Sequence, residues 1–131
     1  MQSGKKFEEI FFDNFMPDQF FGRGFRKATT KEDREEGTDF FCDGMRFDLT
    51  EDFSFKWKSH VVYRQEMILP WTIISLGIRM GNSNHEFEEP VIMIGVIAYS
   101  YSSAVTAVID ISQCWSAISA EARKILEGKK V

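Results

Sequence analysis

A chain of 131 residues with a hydrophobic fraction of 44% lies near the commonest domain size and is long enough to bury a core, so we expect one domain over residues 1–131. The formal net charge of −4 excludes a general attraction for nucleic acid or anionic lipid and leaves only local basic patches for such contacts. Thirteen Phe against four Leu favour a sheet-based core over a Leu-rich helical bundle.

The first predicted element is a helix over residues 5–16. Apolar residues recur at helical spacing from Phe7 to Phe15, and Pro17 ends the pattern. No apolar secretory segment follows the N-terminal Met, so we expect a cytoplasmic protein whose two cysteines stay reduced.

Residues 17–37 show no regular period, and Gly22-Arg23-Gly24 interrupts any helix or strand. Positive charge is concentrated here, which is typical of a solvated loop and also of a nucleic-acid contact. The residues that we take as candidates for phosphate contacts are Arg23, Arg26, Lys27 and Lys31.

Residues 38–50 predict a β-hairpin, because Asp43-Gly44 separates two runs of alternating polarity and suits a type I′ turn. A two-residue turn places Phe40 opposite Phe47 on the core face. It also places Asp39 opposite Asp48 on the other face.

The pattern of the remaining sequence, after residue 50, predicts mostly strands. A third strand covers Phe53 to Trp57, and residues 60–67 either extend it or begin another strand. The pattern then indicates strands at 71–80, 91–99 and 104–109, with a loop from Gly81 to Pro90. A final helix over 111–127 has Asp110 or Ser112 as its N-cap and Gly128 just after its end. The fold class expected is α+β: a mixed, largely antiparallel sheet of five to six strands flanked by an N-terminal and a C-terminal helix.

The stretch from Pro90 to Ile109 contains 20 residues without a charge, which is long enough to span a bilayer. Its middle is polar and its ends are rich in Val and Ile. Two buried strands joined by a turn explain it better, so we expect no contact with a membrane.

The predicted hairpin puts two carboxylates opposite each other, and like charges at such a position destabilise the pairing. A divalent cation would offset this repulsion, because hard cations bind clustered carboxylate oxygens. Arg46, diagonally across from Asp39, offers a purely structural alternative.

These residues resemble the PD-(D/E)XK nuclease superfamily, whose signature is an Asp on one strand and an Asp or Glu, any residue and Lys on the next. The resemblance covers Gly37-Thr38-Asp39 and Asp48-x-Thr50. It implies that Asp39 and Asp48 bind Mg²⁺ or Mn²⁺, and that an acidic residue of the first helix, Glu8 or Glu9, joins them.

The chain departs from this pattern at Thr50, where the family has its catalytic Lys. Lys56 or Lys58 of the following strand would replace that charge, although a two-residue turn at Glu51-Asp52 would place Lys56 on the wrong face. Arg79, inside an apolar strand, is a further candidate for a position beside the acidic pair, because a charge there needs water or a carboxylate.

The sequence is compatible with two alternative functions. The first is a nuclease-like domain, metal-dependent or catalytically degenerate, that acts on or near nucleic acid, with Asp39, Asp48, Thr50 and Lys56 as its catalytic positions and DNA as its partner. The alternative is a non-catalytic module of phage, mobile-element or defence origin that binds a protein.

Overall fold

The computed structural model describes residues 3–14, 22–51, 61–82, 86–96 and 104–129. Ten elements follow one another in these parts of the chain. They are α1 (Ser3–Asn14), β1 (Arg26–Lys27), α2 (Thr30–Glu36), β2 (Phe40–Cys42), β3 (Met45–Glu51), β4 (Val61–Ile68), β5 (Ile73–Gly81), β6 (Glu86–Val96), α3 (Ala104–Gln113) and α4 (Trp115–Lys129).

The strands form one six-stranded sheet in the order β1-β2-β3-β6-β5-β4. Only β3 and β6 are parallel, and every other neighbouring pair is antiparallel. The predicted α+β class is confirmed, with a mixed, largely antiparallel sheet and helices at both ends of the chain.

The core lies on the sheet face that carries Phe40 and Phe47. These two rings stack with centroids 5.0 Å apart, and Phe11 of α1 stacks on Phe40 at the same distance. Trp115 of α4 meets Phe47 edge-on, also at 5.0 Å. Offset and edge-on aromatic contacts of this kind add to the free energy gained by burial. The abundance of Phe therefore serves a sheet-centred core, as the composition indicates.

The segment 104–109 is a helix, so the predicted strand there is wrong. Its β-branched residues suggested a strand, but burial follows a helical period: Ala107, Val108 and Ile111 are fully buried, whereas Val105 and Ile109 are exposed. This alternation arises because α3 lays one side on the core of the sheet. A short apolar run does not distinguish the two structures by itself.

The predicted ends of the last helix are also wrong. Asp110 and Ser112 lie inside α3, and the helical run is interrupted at Cys114 before α4 begins. The Asp110 carboxylate accepts a hydrogen bond from the Trp71 backbone N–H at 2.9 Å, so it caps the turn between β4 and β5. Gly128 lies within the last turn of α4.

Strand β6 begins at Glu86, so the predicted loop from Gly81 to Pro90 is shorter than expected. Pro90 falls where the pairing of β5 with β6 shifts register, between Arg79 and Gly81. Such an irregularity tolerates a residue that has no N–H.

Two elements in the segment 17–37 escaped prediction, β1 and the short helix α2. Thr29 caps α2 through a capping box with Glu32, and Gly37 ends it with a φ of 60°. The Thr-x-x-Glu signal for this start is present in the sequence.

Some predictions concern residues outside the described parts of the chain. The strand from Phe53 to Trp57, with Lys56 and Lys58, is among them. Within the described parts both Cys42 and Cys114 are free thiols. No helix described there is both long and apolar enough to cross a membrane.

Candidate functional site

The turn of the β2–β3 hairpin is fixed from outside by a network centred on Asp43. Asp43 and Gly44 have φ values of 55° and 75°, as a type I′ turn requires. The Asp43 carboxylate accepts hydrogen bonds from Arg23 at 2.7 and 2.9 Å, from Trp115 Nε1 at 3.0 Å and from Ser119 Oγ at 2.7 Å. These bonds join the turn to α4 and hold the hairpin in register.

Asp39 precedes the first ladder pair of this hairpin and is held by both strands around it. Its backbone N–H donates to the Phe47 carbonyl at 2.7 Å, so the regular pairing ends at Phe40 and Phe47. Its Oδ2 accepts from the Leu49 backbone N–H at 2.7 Å. The side chain is thereby turned towards β3, and it is hydrogen-bonded to Asp48. The structure thus brings together the two acids that the turn predicted to be neighbours.

Both acids are buried, with Asp39 5% and Asp48 7% exposed. Burial is the largest cause of a raised pKa at Asp39, and the charge of Asp48 and its hydrogen bond raise this pKa further. The hydrogen bond from the Leu49 N–H lowers it and only partly counteracts the rise. A hydrogen bond between two carboxyl groups requires one proton. The raised pKa of Asp39 favours a state in which the pair holds one proton and carries about one negative charge rather than two.

Arg79 of β5 supplies the opposite charge. Its Nη1 lies 3.6 Å from Asp48 Oδ2, and both side chains are largely buried. The guanidinium reaches Asp48 because Arg79 pairs with Val91 and Asp48 with Met93, which are two residues apart on β6 and share a face.

The Arg79 side chain is fixed by three further neighbours. Its Nε donates to the Gly81 carbonyl at 2.8 Å, and its guanidinium carbon lies 5.5 Å from the centroid of the Phe87 ring. A Cβ on Gly37 would lie 2.7 Å from Phe87 and 3.5 Å from Arg79 Nη1. A glycine at the end of α2 is therefore needed for the close approach of Phe87 as well as for the positive φ.

Arg46 is not the partner of the acidic pair. It forms a salt bridge with Glu36 of α2, and its guanidinium lies over the ring of Phe41 at 5.1 Å. The structural role expected of Arg46 belongs instead to Arg79. The signal for it in the sequence is a charged residue within an apolar strand.

Glu8 of α1 is close enough to influence the acidic pair. Burial, followed by the charges of Asp33 and Asp48, raises the pKa of Glu8. The helix therefore contributes a third carboxyl to the same electrostatic neighbourhood. Across the described segments, however, no three His, Cys, Asp or Glu side chains form a group that could hold a metal ion.

Thr50 is buried on the same face of β3 as Asp48 and pairs with Gly95 of β6. Its hydroxyl carries no charge, so it does not supply what a Lys would at this position. The acidic pair and Arg79 therefore have Thr50 as a neutral neighbour on the face of Asp48.

The four candidates for phosphate contacts lie around β1 and α2. Arg23 is bound to Asp43, and Arg26 makes a two-pronged salt bridge with Glu32 at 2.8 and 2.9 Å. Lys27 lies over the ring of Phe12 at 4.8 Å. Lys31 lines a cleft of about 440 Å³ in which carboxylates predominate. That cleft is lined by Lys31, Glu35, Glu36, Arg46, Glu86, Phe87, Glu88 and Glu89.

The pair does not fit a divalent cation in this arrangement. Mg²⁺ requires six oxygen ligands in near-octahedral geometry and retains several waters. Here both acids are more than nine-tenths buried, one oxygen of Asp39 is bound by Leu49 N–H, and a guanidinium lies beside Asp48. In this arrangement the guanidinium of Arg79 balances the negative charge that remains on the acidic pair.

Comparison with known proteins gives no relative. No protein-family model matches the sequence, no curated protein matches it, and no solved structure matches the fold. The site is therefore interpreted from its own geometry.

Proposed function

We propose that this chain is a catalytically degenerate nuclease-like domain of the PD-(D/E)XK type, which acts by binding on or near nucleic acid. The observation that carries this proposal is the buried pair of Asp39, directly before β2, and Asp48 on β3, with Arg79 3.6 Å from Asp48. This pair supports the proposal because the signature of the family also brings two acids together, and Glu8 on the first helix lies in the same electrostatic neighbourhood.

Degeneracy is favoured over catalysis for two reasons. Arg79 supplies the positive charge that a metal ion would otherwise bring to the pair, and Thr50 replaces the Lys that would stabilise the developing charge at a phosphate. Loss of one such electrostatic group typically lowers a rate about a hundredfold to a thousandfold.

We therefore expect no efficient cleavage of plasmid or single-stranded DNA in Mg²⁺ or Mn²⁺. The variant Thr50→Lys tests the assignment of position 50, with Thr50→Val as the matched uncharged control. A gain of metal-dependent cleavage in Thr50→Lys alone would support the resemblance directly. Efficient cleavage by the wild type would contradict degeneracy and would direct attention to Lys56 or Lys58.

Binding to nucleic acid is tested separately by fluorescence anisotropy with a labelled DNA duplex and single strand at low salt. Reversal of charge in the double variant Lys27→Glu, Lys31→Glu should weaken binding, because phosphate contacts dominate such affinities. Lys124→Glu, at an exposed position of α4, is the control for the change in net charge, and Lys27→Glu and Lys31→Glu are compared with it singly because each changes the net charge by the same amount.

The second candidate function is a module that binds a protein. It is favoured by the engagement of Arg23 and Arg26 with carboxylates, and by the excess of Glu in the cleft beside Lys31, which opposes the approach of phosphate. Wild-type protein that binds neither DNA form at low salt would favour this candidate.

A further inference from the structure

Strand β4 forms one edge of the sheet and presents eight residues there. No strand in the described parts of the chain pairs with its outer side. Apolar side chains are exposed along it: Val62 is 47%, Tyr63 39% and Ile68 84% exposed. A long edge with exposed apolar residues is a template for pairing with another strand, and proteins usually protect such edges.

The sequence of β4 is self-complementary in charge about Gln65. Arg64 and Glu66 stand on either side of Gln65 and pair with Gly77 and Ser75 of β5, so their side chains share the face that carries Asp48. Gln65 points to the other face, where its Nε2 donates to Glu121 of α4 at 2.6 Å. With a two-fold axis through Gln65, an arginine of one strand would therefore face a glutamate of the other.

We propose that two copies of this chain associate by antiparallel pairing of their β4 strands about a two-fold axis at Gln65, which extends the sheet across both protomers. In this register Arg64 lies opposite the partner's Glu66, and Glu66 lies opposite the partner's Arg64. Directly opposed charges of opposite sign stabilise an antiparallel pair.

The same register also covers the exposed apolar residues at the two ends of the strand. Val62, at the bulge, lies beside the partner's Ile68, and Ile68 lies beside the partner's Val62. Tyr63 lies opposite the partner's Met67 on the face of the helices. The most exposed apolar side chain of the strand, Ile68, thus receives an apolar neighbour without any change in the protomer.

Charge also selects this register over its neighbours. A shift that moves the axis by one residue places either Arg64 opposite the partner's Arg64 or Glu66 opposite the partner's Glu66. Like charges directly opposite each other destabilise the pair. The bulge between Val61 and Tyr63 limits the ladder at its start, so the pairing centres on the regular part of the strand.

The association does not depend on the proposed function, and it is tested by sedimentation velocity over a series of protein concentrations. The wild type should pass from monomer to dimer as concentration rises. Arg64→Glu and Glu66→Arg, each alone, should weaken the dimer about tenfold or more, because each variant turns two attractive cross-strand pairs into repulsive ones.

Two further samples, a mixture of the single variants and a double variant, make the test specific. Equal amounts of Arg64→Glu and Glu66→Arg should form a heterodimer, since one β4 then carries two glutamates and the other two arginines. The double variant Arg64→Glu, Glu66→Arg should recover the homodimer. Circular dichroism of every variant verifies that the protomer is folded.

A wild type that remains monomeric at every concentration would overturn the proposal and would leave the edge of β4 to a strand from a different protein. A dimer that persists unchanged in both single variants would overturn it as well, because the contact would then lie elsewhere on the chain.

Discussion

At the scale of single residues, the decisive feature is the raised pKa of the buried Asp39 carboxyl beside Asp48. Two adjacent carboxyls with little access to water cannot both ionise at low cost, so burial and mutual repulsion raise the pKa of Asp39. The Leu49 N–H and Arg79 favour the remaining negative charge. Arg79 thus supplies a positive charge beside a position that resembles a metal ligand.

The raised pKa of Asp39 gives a pH dependence of stability with a definite sign. A carboxyl whose pKa is higher in the folded than in the unfolded state stabilises the fold fully below the unfolded value of about 3.9 and loses this contribution as pH rises through the folded pKa. The free energy of unfolding should therefore decline through neutral and alkaline pH.

Asp39→Asn should remove this decline. The Asn amide accepts from Leu49 N–H through its oxygen and donates to Asp48 through its nitrogen, so it imitates the protonated acid. Urea denaturation at several pH values should show the variant more stable than the wild type at neutral pH and similar below about pH 4. Asp13→Asn, at an exposed position of α1, is the control. A variant less stable than the wild type at neutral pH would contradict the shared proton.

Arg79 leads to a prediction about metal. Arg79→Met leaves the charge of the acidic pair buried without its cation, and breaking a buried ion pair in this way typically costs about 3–5 kcal/mol. Millimolar Mn²⁺ should then raise the melting temperature of the variant, because a ligand that binds only the folded state stabilises it.

The matched control is Arg79→Lys, which keeps a positive charge and should respond to Mn²⁺ as little as the wild type. If the wild type itself gains stability in Mn²⁺ and Asp39→Asn abolishes the gain, the metal ion displaces Arg79. The pair would then be the metal site that the resemblance implies.

At the scale of elements, the β2–β3 hairpin is positioned by its turn rather than by its ladder, which contains only three residue pairs. Hydrogen bonds from Arg23 and from two side chains of α4 to the Asp43 carboxylate hold the short hairpin in place. Burial by itself would raise the pKa of Asp43. Hydrogen bonds from Arg23, Ser119 and Trp115 nevertheless hold this pKa below its ordinary value.

Asp43→Asn should therefore destabilise the protein. Asn tolerates the positive φ of the turn but carries no charge for Arg23, and loss of hydrogen bonds to a charged group costs about 1.5–3 kcal/mol. Ser119→Ala removes one of the same hydrogen bonds and should cost about 1 kcal/mol. Both values are measured by urea denaturation at neutral pH.

The free energy of unfolding at acid pH tests the role of Asp43 in a second way. Because the pKa of Asp43 is lowered by folding, its contribution is present above the unfolded value of about 3.9 and is lost as pH falls below it. The destabilisation caused by Asp43→Asn should accordingly shrink in acid. A difference that is constant from pH 7 to acid would assign the effect to the shape of the turn rather than to the charge.

At the scale of the whole molecule, the strand order decides which charges meet. Asp48 on β3 and Arg79 on β5 are 31 positions apart in sequence and are separated in the sheet by β6. Their contact arises because β6 pairs with both strands and places Val91 and Met93 on one face. The same order leaves β4 at the edge, where the proposed dimer forms.

The sequence by itself determined the elements that local periodicity and turn chemistry specify. The helix at the N-terminus, the hairpin at Asp43-Gly44, the strands β4 and β5 and the proximity of Asp39 to Asp48 all follow from spacing within a few residues. The predicted α+β class follows from the same local signals.

Only the tertiary structure decided the structure of residues 104–113 and the partner of the acidic pair. The β-branched run after Ala104 is compatible with a strand or a helix, and the choice was made by the core of the sheet, which buries Ala107, Val108 and Ile111 at helical spacing. Arg79 rather than Arg46 neutralises Asp48 because the register of β3 with β6, and of β6 with β5, is set by packing across the whole sheet. No local signal encodes that register.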